Sequence, residues 1–350
     1  SENAVVGSAA ADYFGIETDT LLEVAITPNR ADATSHIGVA RDLVAAINNR
    51  EKQHEPVSLV TPSVDAFKVD NSSLTIPVSI ENLEACARYT AITLSGIQVK
   101  ESPEWLCNRL KAVGLRPINN IVDITNYVLM ETGHPLHAFD ASYVTGKQVV
   151  VKKMPAGTKF VTLDEVERSL GADDLMICNA AEPMCIAGVF GGAKSGVSEN
   201  TTSVFLESAY FDGTHVRKTS KLHNLKTDAS FRFERGADPN MTVYALKRAA
   251  LLMKELAGGV ISSEIIDVYP VPVPNREVEV SFHRINTLIG KAIDKETVKN
   301  ILTSLAITIL SETEETLLLS IPPFKVDVTR EADVVEEILR IYGYNNIELS

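Results

Sequence analysis

A multi-domain α+β protein is the fold class this sequence predicts, and three observations carry it. Short runs that alternate like strands are interleaved with stretches whose apolar residues recur at helical spacing. At 350 residues the chain exceeds one ordinary core. The segment PVPVPN, residues 270–275, divides a unit of roughly 75 residues from everything before it. With 45 % hydrophobic and 23 % charged residues, the composition excludes a disordered or low-complexity chain.

The elements follow in order. LLEVAIT (21–27) alternates like a half-buried strand and is punctuated by Pro28-Asn29. A helix follows, with Thr34 or Ser35 as its cap and Ile37, Ala40, Val44 and Ile47 on one face. That unit, residues 1–50, is too small to own a core and reads as half of a domain. Residues 51–73 are polar, with Pro56 and Pro62, and read as a linker. Residues 74–270 then carry strands at LTIPVSI, YTAITLSGI, QVVVKKM, KFVTL, LMICN and SVFLESAYF. Helices are expected from Pro103 to Gly114, over 215–222 and over 241–256. The unit 275–350 reads as a strand EVEVSF, two short helices (the second capped by Asp294), strands ITIL and TLLLSIP, and a last helix over 331–342.

Charge narrows the functional classes. The chain carries 33 basic and 46 acidic side chains, a net −13, which argues against a general DNA coat. Residues 1–70 hold 5 basic and 11 acidic side chains. Residues 215–236 reverse this, with Arg217, Lys218, Lys221, Lys226, Arg232 and Arg235 against Asp228 and Glu234. Uncharged stretches reach only about a dozen residues, too short to span a bilayer, so no membrane role is expected. Four cysteines without a CxxC pair fit a reducing, cytoplasmic setting and write no zinc ribbon.

Three clusters could carry chemistry. In RPINNIVDITNYVLMETGHPLHAFD (116–140), His134-x-x-His137 could be a metal pair. Gly133 and Pro135 break the helix that would align it, so histidines held in a loop by hydrogen bonds are the default. In residues 188–207, GVFGGAKSG lacks the phosphate-loop and dinucleotide spacings, and its glycines suit close backbone approach. Glu207 ends an apolar strand, and pattern alone puts it on the wet face of an edge strand. In the last helix Asp333, Glu336, Glu337 and Arg340 share one face, with Asp327 just before them. Carboxylates so gathered suit a hard cation, whereas a solvated face with a Glu336–Arg340 pair explains the same pattern.

Taken together, ITPNRADATSHIGVARDL, the 116–140 segment, GGAKSGVSENTTSVFLESAYFD, LKTDASFRFERGADP and EADVVEEILRIYGYNNI resemble, in order, signatures of the bacterial phenylalanyl-tRNA synthetase beta subunit. The resemblance covers the chain from about residue 20 onward and implies a fragment of a longer subunit. It implies that residues 74–270 are a tRNA-editing module hydrolysing tyrosine wrongly attached to tRNA(Phe). Residues 275–350 would be a small winged-helix-like domain, and 1–50 the second half of an interrupted domain. Aminoacylation, with its ATP and phenylalanine sites, would belong to the alpha-subunit partner. By the same resemblance, Glu207 accepts the phenol proton and His137 and Thr227 orient the ester and attacking water. Gly191 and Ala229 leave room for the ring, and Arg116 with Arg217, Lys218, Lys221, Arg232 and Arg235 meets the tRNA acceptor end. Asp327, Asp333, Glu336 and Glu337 match a magnesium-ligand pattern whose ion is shared with the heterodimer. No cofactor is expected for the editing chemistry. A different class of function, a non-catalytic scaffold for the alpha subunit and tRNA, remains the alternative. DNA binding by the last unit is not expected, because its final segment is acidic.

Overall fold

The computed structural model describes residues 5–13, 19–50 and 55–347, so parts of the expected N-terminal unit (1–4, 14–18) and linker (51–54) lie outside the described residues. A one-turn helix, α1 (Ala10–Tyr13), precedes an extended stretch. LLEVAIT lies in that stretch and is not a strand: Leu21, Leu22 and Val24 are 67, 78 and 56 % exposed. Alternation prepares a strand, but hydrogen-bonding needs a partner, and none of the described strands pairs with it. Helix α2 (His36–Arg50) begins after Ser35, whose hydroxyl accepts the Gly38 N–H at 3.0 Å. A Cβ on Gly38 would strike the Asp32 carbonyl oxygen and come within 2.9 Å of the Ala33 Cα. Gly38→Ala is therefore expected to lower stability by about 1–3 kcal/mol in urea unfolding, the usual cost of overpacking against backbone. An unchanged midpoint would show that the turn before α2 yields freely.

The central module runs β1 (Val78–Ile80), β2 (Cys86–Ser95), α3 (Glu104–Ala112), α4 (Asn120–Thr132) and β3 (His137–Asp140). It continues through β4 (Val149–Lys153), β5 (Lys159–Val161), β6 (Glu167–Ser169), β7 (Leu175–Cys178), β8 (Pro183–Ile186) and β9 (Phe190–Gly191). After β10 (Ser203–Phe211) come α5 (Gly213–His223), α6 (Asp228–Arg235), α7 (Met241–Ala257), β11 (Val260–Ile261) and β12 (Ile266–Val268). One sheet has the order β11-β2-β10-β3 and another β1-β4-β7-β8-β9.

Side chains alternate across β10, so its two faces build two cores. Val204 and Leu206 join Ile121 and Ile124 of α4 and Leu246 and Met253 of α7. Phe205, Ala209 and Phe211 join Val151, Ile177 and Ile186 of the second sheet. The central sheet is thus covered by helices on one side and by a sheet on the other. No described helix is long and apolar enough to cross a membrane.

The last unit holds β13 (Arg276–Ser281), α8 (Phe282–Ile289), α9 (Lys295–Ser304), β14 (Thr308–Glu312), β15 (Thr316–Ile321) and α10 (Glu331–Tyr342). Its sheet has the order β13-β15-β14, and its core also takes in Ala45 of α2. Helix α2 therefore packs on the C-terminal unit.

Candidate functional site

Strand register brings the first group together. Glu207 on β10 stands directly opposite His137 on β3 in an antiparallel pair, so both side chains share one face. That face is the one turned toward the second sheet, where β9 pairs Gly191 with Cys185 of β8. A Cβ on Gly191 would lie 3.0 Å from His137 Cε1 and 2.8 Å from Leu163 Cδ1, so an added methyl would press on both side chains. Thr227 caps α6: its hydroxyl accepts the Ser230 N–H at 3.0 Å and donates to the Val189 carbonyl at 2.9 Å. It thereby pins α6 to the turn entering β9, and Ala229 packs against the same inter-sheet core. Arg116 is exposed on the segment between α3 and α4, and no hydrogen bond or ion pair among the described residues joins it to this group.

The wet-edge reading of Glu207 is corrected here. Strand β10 is internal to its sheet, and Glu207 is 5 % exposed. A sheet covered on both faces erases the alternation that signals a wet side. The Tyr89 hydroxyl donates to Glu207 Oε2 at 3.1 Å. Burial pushes the carboxyl up to about 8, and the Tyr89 hydrogen bond only partly opposes it. Loss of solvation lowers His137 to about 4, and its ring packs 4.4 Å, centroid to centroid, from Phe139. The thiols of Cys86 and Cys185 are held above their usual range by burial and by Glu207. At neutral pH this inter-sheet face is thus largely uncharged. A protonated carboxyl there can both donate and accept, and a neutral imidazole can accept a hydrogen bond from water.

His134 does not fit the expectation of a loop histidine held by hydrogen bonds. It is 1 % exposed, its ring nitrogens make no well-formed hydrogen bond among the described residues, the Ala209 backbone being a weak partner, and its ring packs against Phe233. Burial lowers it to about 3. Among the described residues no three or more His, Cys, Asp or Glu are grouped to hold a metal ion. A buried trio of Thr219, Asp174 and His223 also lacks the order of a nucleophile: Thr219 donates to Asp174 at 2.9 Å rather than to His223.

The acidic residues of α10 line a cleft of about 450 Å³ with Asn29, Arg30, Asp32 and Lys325. Glu337 is 4 % exposed and bonded by Lys325 at 2.5 Å and by Arg340 at 2.9 Å. Lys325 continues to Asp32 at 3.3 Å, Asp32 pairs with Arg30, and Asp42 bridges Arg30 and Arg340. Three cations and three carboxylates close a ring between the N-terminal segment and α10. The solvated Glu336–Arg340 pair is therefore corrected, because Arg340 turns to the buried Glu337 and to Asp42. Asp333 accepts the Thr329 and Arg330 N–H groups at 3.0 and 3.1 Å, and Glu336 accepts from Asn29 at 3.2 Å. The four carboxylates share the cleft with Arg30, Lys325 and Arg330, and Glu337 is already held by Lys325 and Arg340.

Of the basic stretch, Arg217, Lys218 and Lys221 are exposed on α5. The Arg235 guanidinium stacks 3.6 Å over the half-exposed Phe231 ring. Arg232 is different. It is 7 % exposed, pairs with Asp228 at 2.9 Å and packs against Met130, so the expectation of an RNA contact there is corrected: its charge serves the fold.

Two family models match the chain: a B3/4 domain over residues 85–258 and a tRNA synthetase B5 domain over residues 278–344. Glu207, His137, Gly191, Thr227 and Ala229 fall in the first match, and the acidic helix in the second. Among curated proteins, the phenylalanine–tRNA ligase beta subunit of Bacteroides fragilis is 59 % identical over 99 % of this chain and 42 % of its own length. That of Porphyromonas gingivalis is 52 % identical over the same shares. That of Geobacter sulfurreducens is 43 % identical over 96 % of this chain and 41 % of its own. The chain thus spans about two fifths of the relatives it matches.

Proposed function

Since the chain belongs to the family of phenylalanine–tRNA ligase beta subunits, we propose that it removes tyrosine from mischarged Tyr-tRNA(Phe) by hydrolysis of the aminoacyl ester. The chain works with an alpha subunit that carries phenylalanine ligation. Residues 74–270 form the hydrolytic module, and 275–350 a winged-helix-like domain that meets the partner. The observation that carries this reading is the pairing of Glu207 with His137 across β10 and β3, with Gly191 alongside.

The chemistry follows from the groups present. A ligation pocket shaped for phenylalanine rejects an added hydroxyl only weakly. A second pocket with a buried carboxyl rejects phenylalanine strongly, because phenylalanine leaves that carboxyl unpaired. Glu207, largely protonated at neutral pH, can give or take a hydrogen bond at the substrate phenol. Neutral His137 accepts a hydrogen bond from the attacking water and orients it, and Gly191 and Ala229 admit the aromatic ring. Thr227 holds the turn before β9 in place. With no activated serine, threonine or cysteine in reach among the described residues, water rather than a covalent intermediate carries the acyl transfer. Exposed Arg217, Lys218, Lys221 and Arg235 meet the acceptor-end phosphates, joined by Arg116.

The test is release of tyrosine from Tyr-tRNA(Phe), with Phe-tRNA(Phe) as control. Wild-type protein is expected to hydrolyse the tyrosyl ester selectively. Gly191→Ala is expected to lower that rate at least about tenfold, because the new methyl displaces His137 or Leu163. Spontaneous-rate release by wild type in the complete enzyme would sink the editing reading and leave a scaffold.

A further inference from the structure

One buried side chain has no place in the scheme so far. Tyr89 lies on β2 opposite Ala209, two residues along β10 from Glu207, so Tyr89 and Glu207 are diagonal neighbours on one face. Tyr89 is 0 % exposed, and its hydroxyl donates to Glu207 Oε2. Glu207 Oε1 has no hydrogen-bond partner among the described residues. Among the described residues, the titratable groups nearest the carboxyl are Tyr89 and Cys86 from β2, Cys185 from β8 and His137 from β3, and no cation pairs with it. Orientation of the carboxyl therefore rests on a single bond.

We propose that Tyr89 is a positioning residue of the hydrolytic site: its hydroxyl fixes Oε2 of Glu207, so that Oε1 alone is presented to the aromatic hydroxyl of the ester substrate. This rests on the reading of the site as a tyrosyl-ester pocket. Without Tyr89 the carboxyl turns freely, and its second oxygen competes with the first for the hydrogen bond to the substrate. A recognition group held in one orientation gives up less freedom on binding, which is what makes it selective.

The experiment is kcat/KM for Tyr-tRNA(Phe) and Phe-tRNA(Phe) across pH 5.5–9, on wild type, Tyr89→Phe, Glu207→Gln and the double variant, all in the full-length subunit pair. Tyr89→Phe is expected to lower kcat/KM for the tyrosyl ester about tenfold, the worth of one such hydrogen bond, with the phenylalanyl ester unaffected. Because that bond lowers the Glu207 pKa, its loss should move the corresponding limb of the pH profile to higher pH. In the Glu207→Gln background, Tyr89→Phe should add less than about twofold, since a positioning residue has nothing left to position. Thermal melts of all four proteins register any loss of folding. Full multiplicative effects in the double variant, or an unshifted pH profile in folded Tyr89→Phe, would reduce Tyr89 to a packing residue. A wild type that fails to hydrolyse Tyr-tRNA(Phe) would overturn the functional reading and this inference together. A hydrolysing wild type with unchanged Tyr89→Phe overturns this inference alone.

Discussion

Lys325→Met is expected to destabilise the protein by about 3 kcal/mol or more, the cost of breaking a buried ion pair from one side. The Lys325 side chain is 1 % exposed and lies between Asp32 and Glu337, themselves 7 and 5 % exposed. Arg30 and Arg340 remain on those carboxylates in the variant, which keeps the loss near the low end of the 3–5 kcal/mol range. The ring would still hold three carboxylates against two cations in a region with little solvent. Lys194→Met is the control: it breaks an ion pair whose members are 75 and 49 % exposed, and its effect should stay within about 0.5 kcal/mol. Urea unfolding of both variants separates buried from surface pairing. Equal midpoints for the two would show that the ring contributes no more than a surface contact. The pH dependence has a definite sign. Asp32 and Glu337 are held below their ordinary values by hydrogen bonds and charge from Arg30, Lys325 and Arg340, against the opposing effect of burial. Their contribution is complete above the unfolded values and is lost as pH falls through the lowered folded ones, so the gap between wild type and Lys325→Met should narrow below about pH 4.

How much of this was readable from the residues depends on what each element rests on. SVFLESAYF and the last helix match β10 and α10 over their full lengths, because local periodicity and a clear stop agree there. Helix α4 does not stand out in the sequence, for the opposite reason. Its face is studded with Asn120, Asp123, Thr125 and Thr132, which look like loop chemistry, yet all four are buried. Tertiary hydrogen bonds make that possible: Asn120 donates to the Gln98 carbonyl at 2.9 Å, and Asp123 accepts from Ser102 at 2.6 Å. Helix α6 carries a signal that was passed over, Thr227 with Ser230 three residues on, which forms its capping box. The strand expected at LLEVAIT shows that pattern without a partner does not make a sheet. For Glu207, the residues alone pointed to solvent, and only the family likeness pointed inward. Its burial depends on the second sheet, built from residues up to about 130 positions away in sequence, which no local window contains. The closed ion ring was invisible for the same reason, since it joins residues 30–42 to residues 325–340.

Replacement of Glu207 should reveal itself in two independent measurements. Glu207→Ala is expected to lower kcat/KM for Tyr-tRNA(Phe) about 100-fold while leaving Phe-tRNA(Phe) near its own slow rate, so that selectivity collapses rather than activity alone. The second measurement needs no tRNA. Burial raises the carboxyl from 4.5 to about 8, so between those values the folded protein holds a proton that the unfolded chain has released. Stability then falls as pH rises across that window, and the full cost, on the order of a few kcal/mol, is present above the folded value. Glu207→Gln has no proton to lose, so its stability relative to wild type should climb steadily from pH 5 to pH 8.5. His137, lowered to about 4 by burial, acts on the acid side: its contribution is complete above about 6.5 and is lost as pH falls toward 4. The two slopes have opposite signs and overlap between about 4.5 and 6.5, so the difference between wild type and Glu207→Gln isolates the carboxyl. If wild type and Glu207→Gln instead run parallel from pH 5 to 8.5, the carboxyl titrates alike in folded and unfolded protein. A donor role toward a tyrosine phenol at neutral pH would then be lost, and any selectivity of the site would have to come from an ionised Glu207 accepting the phenol proton.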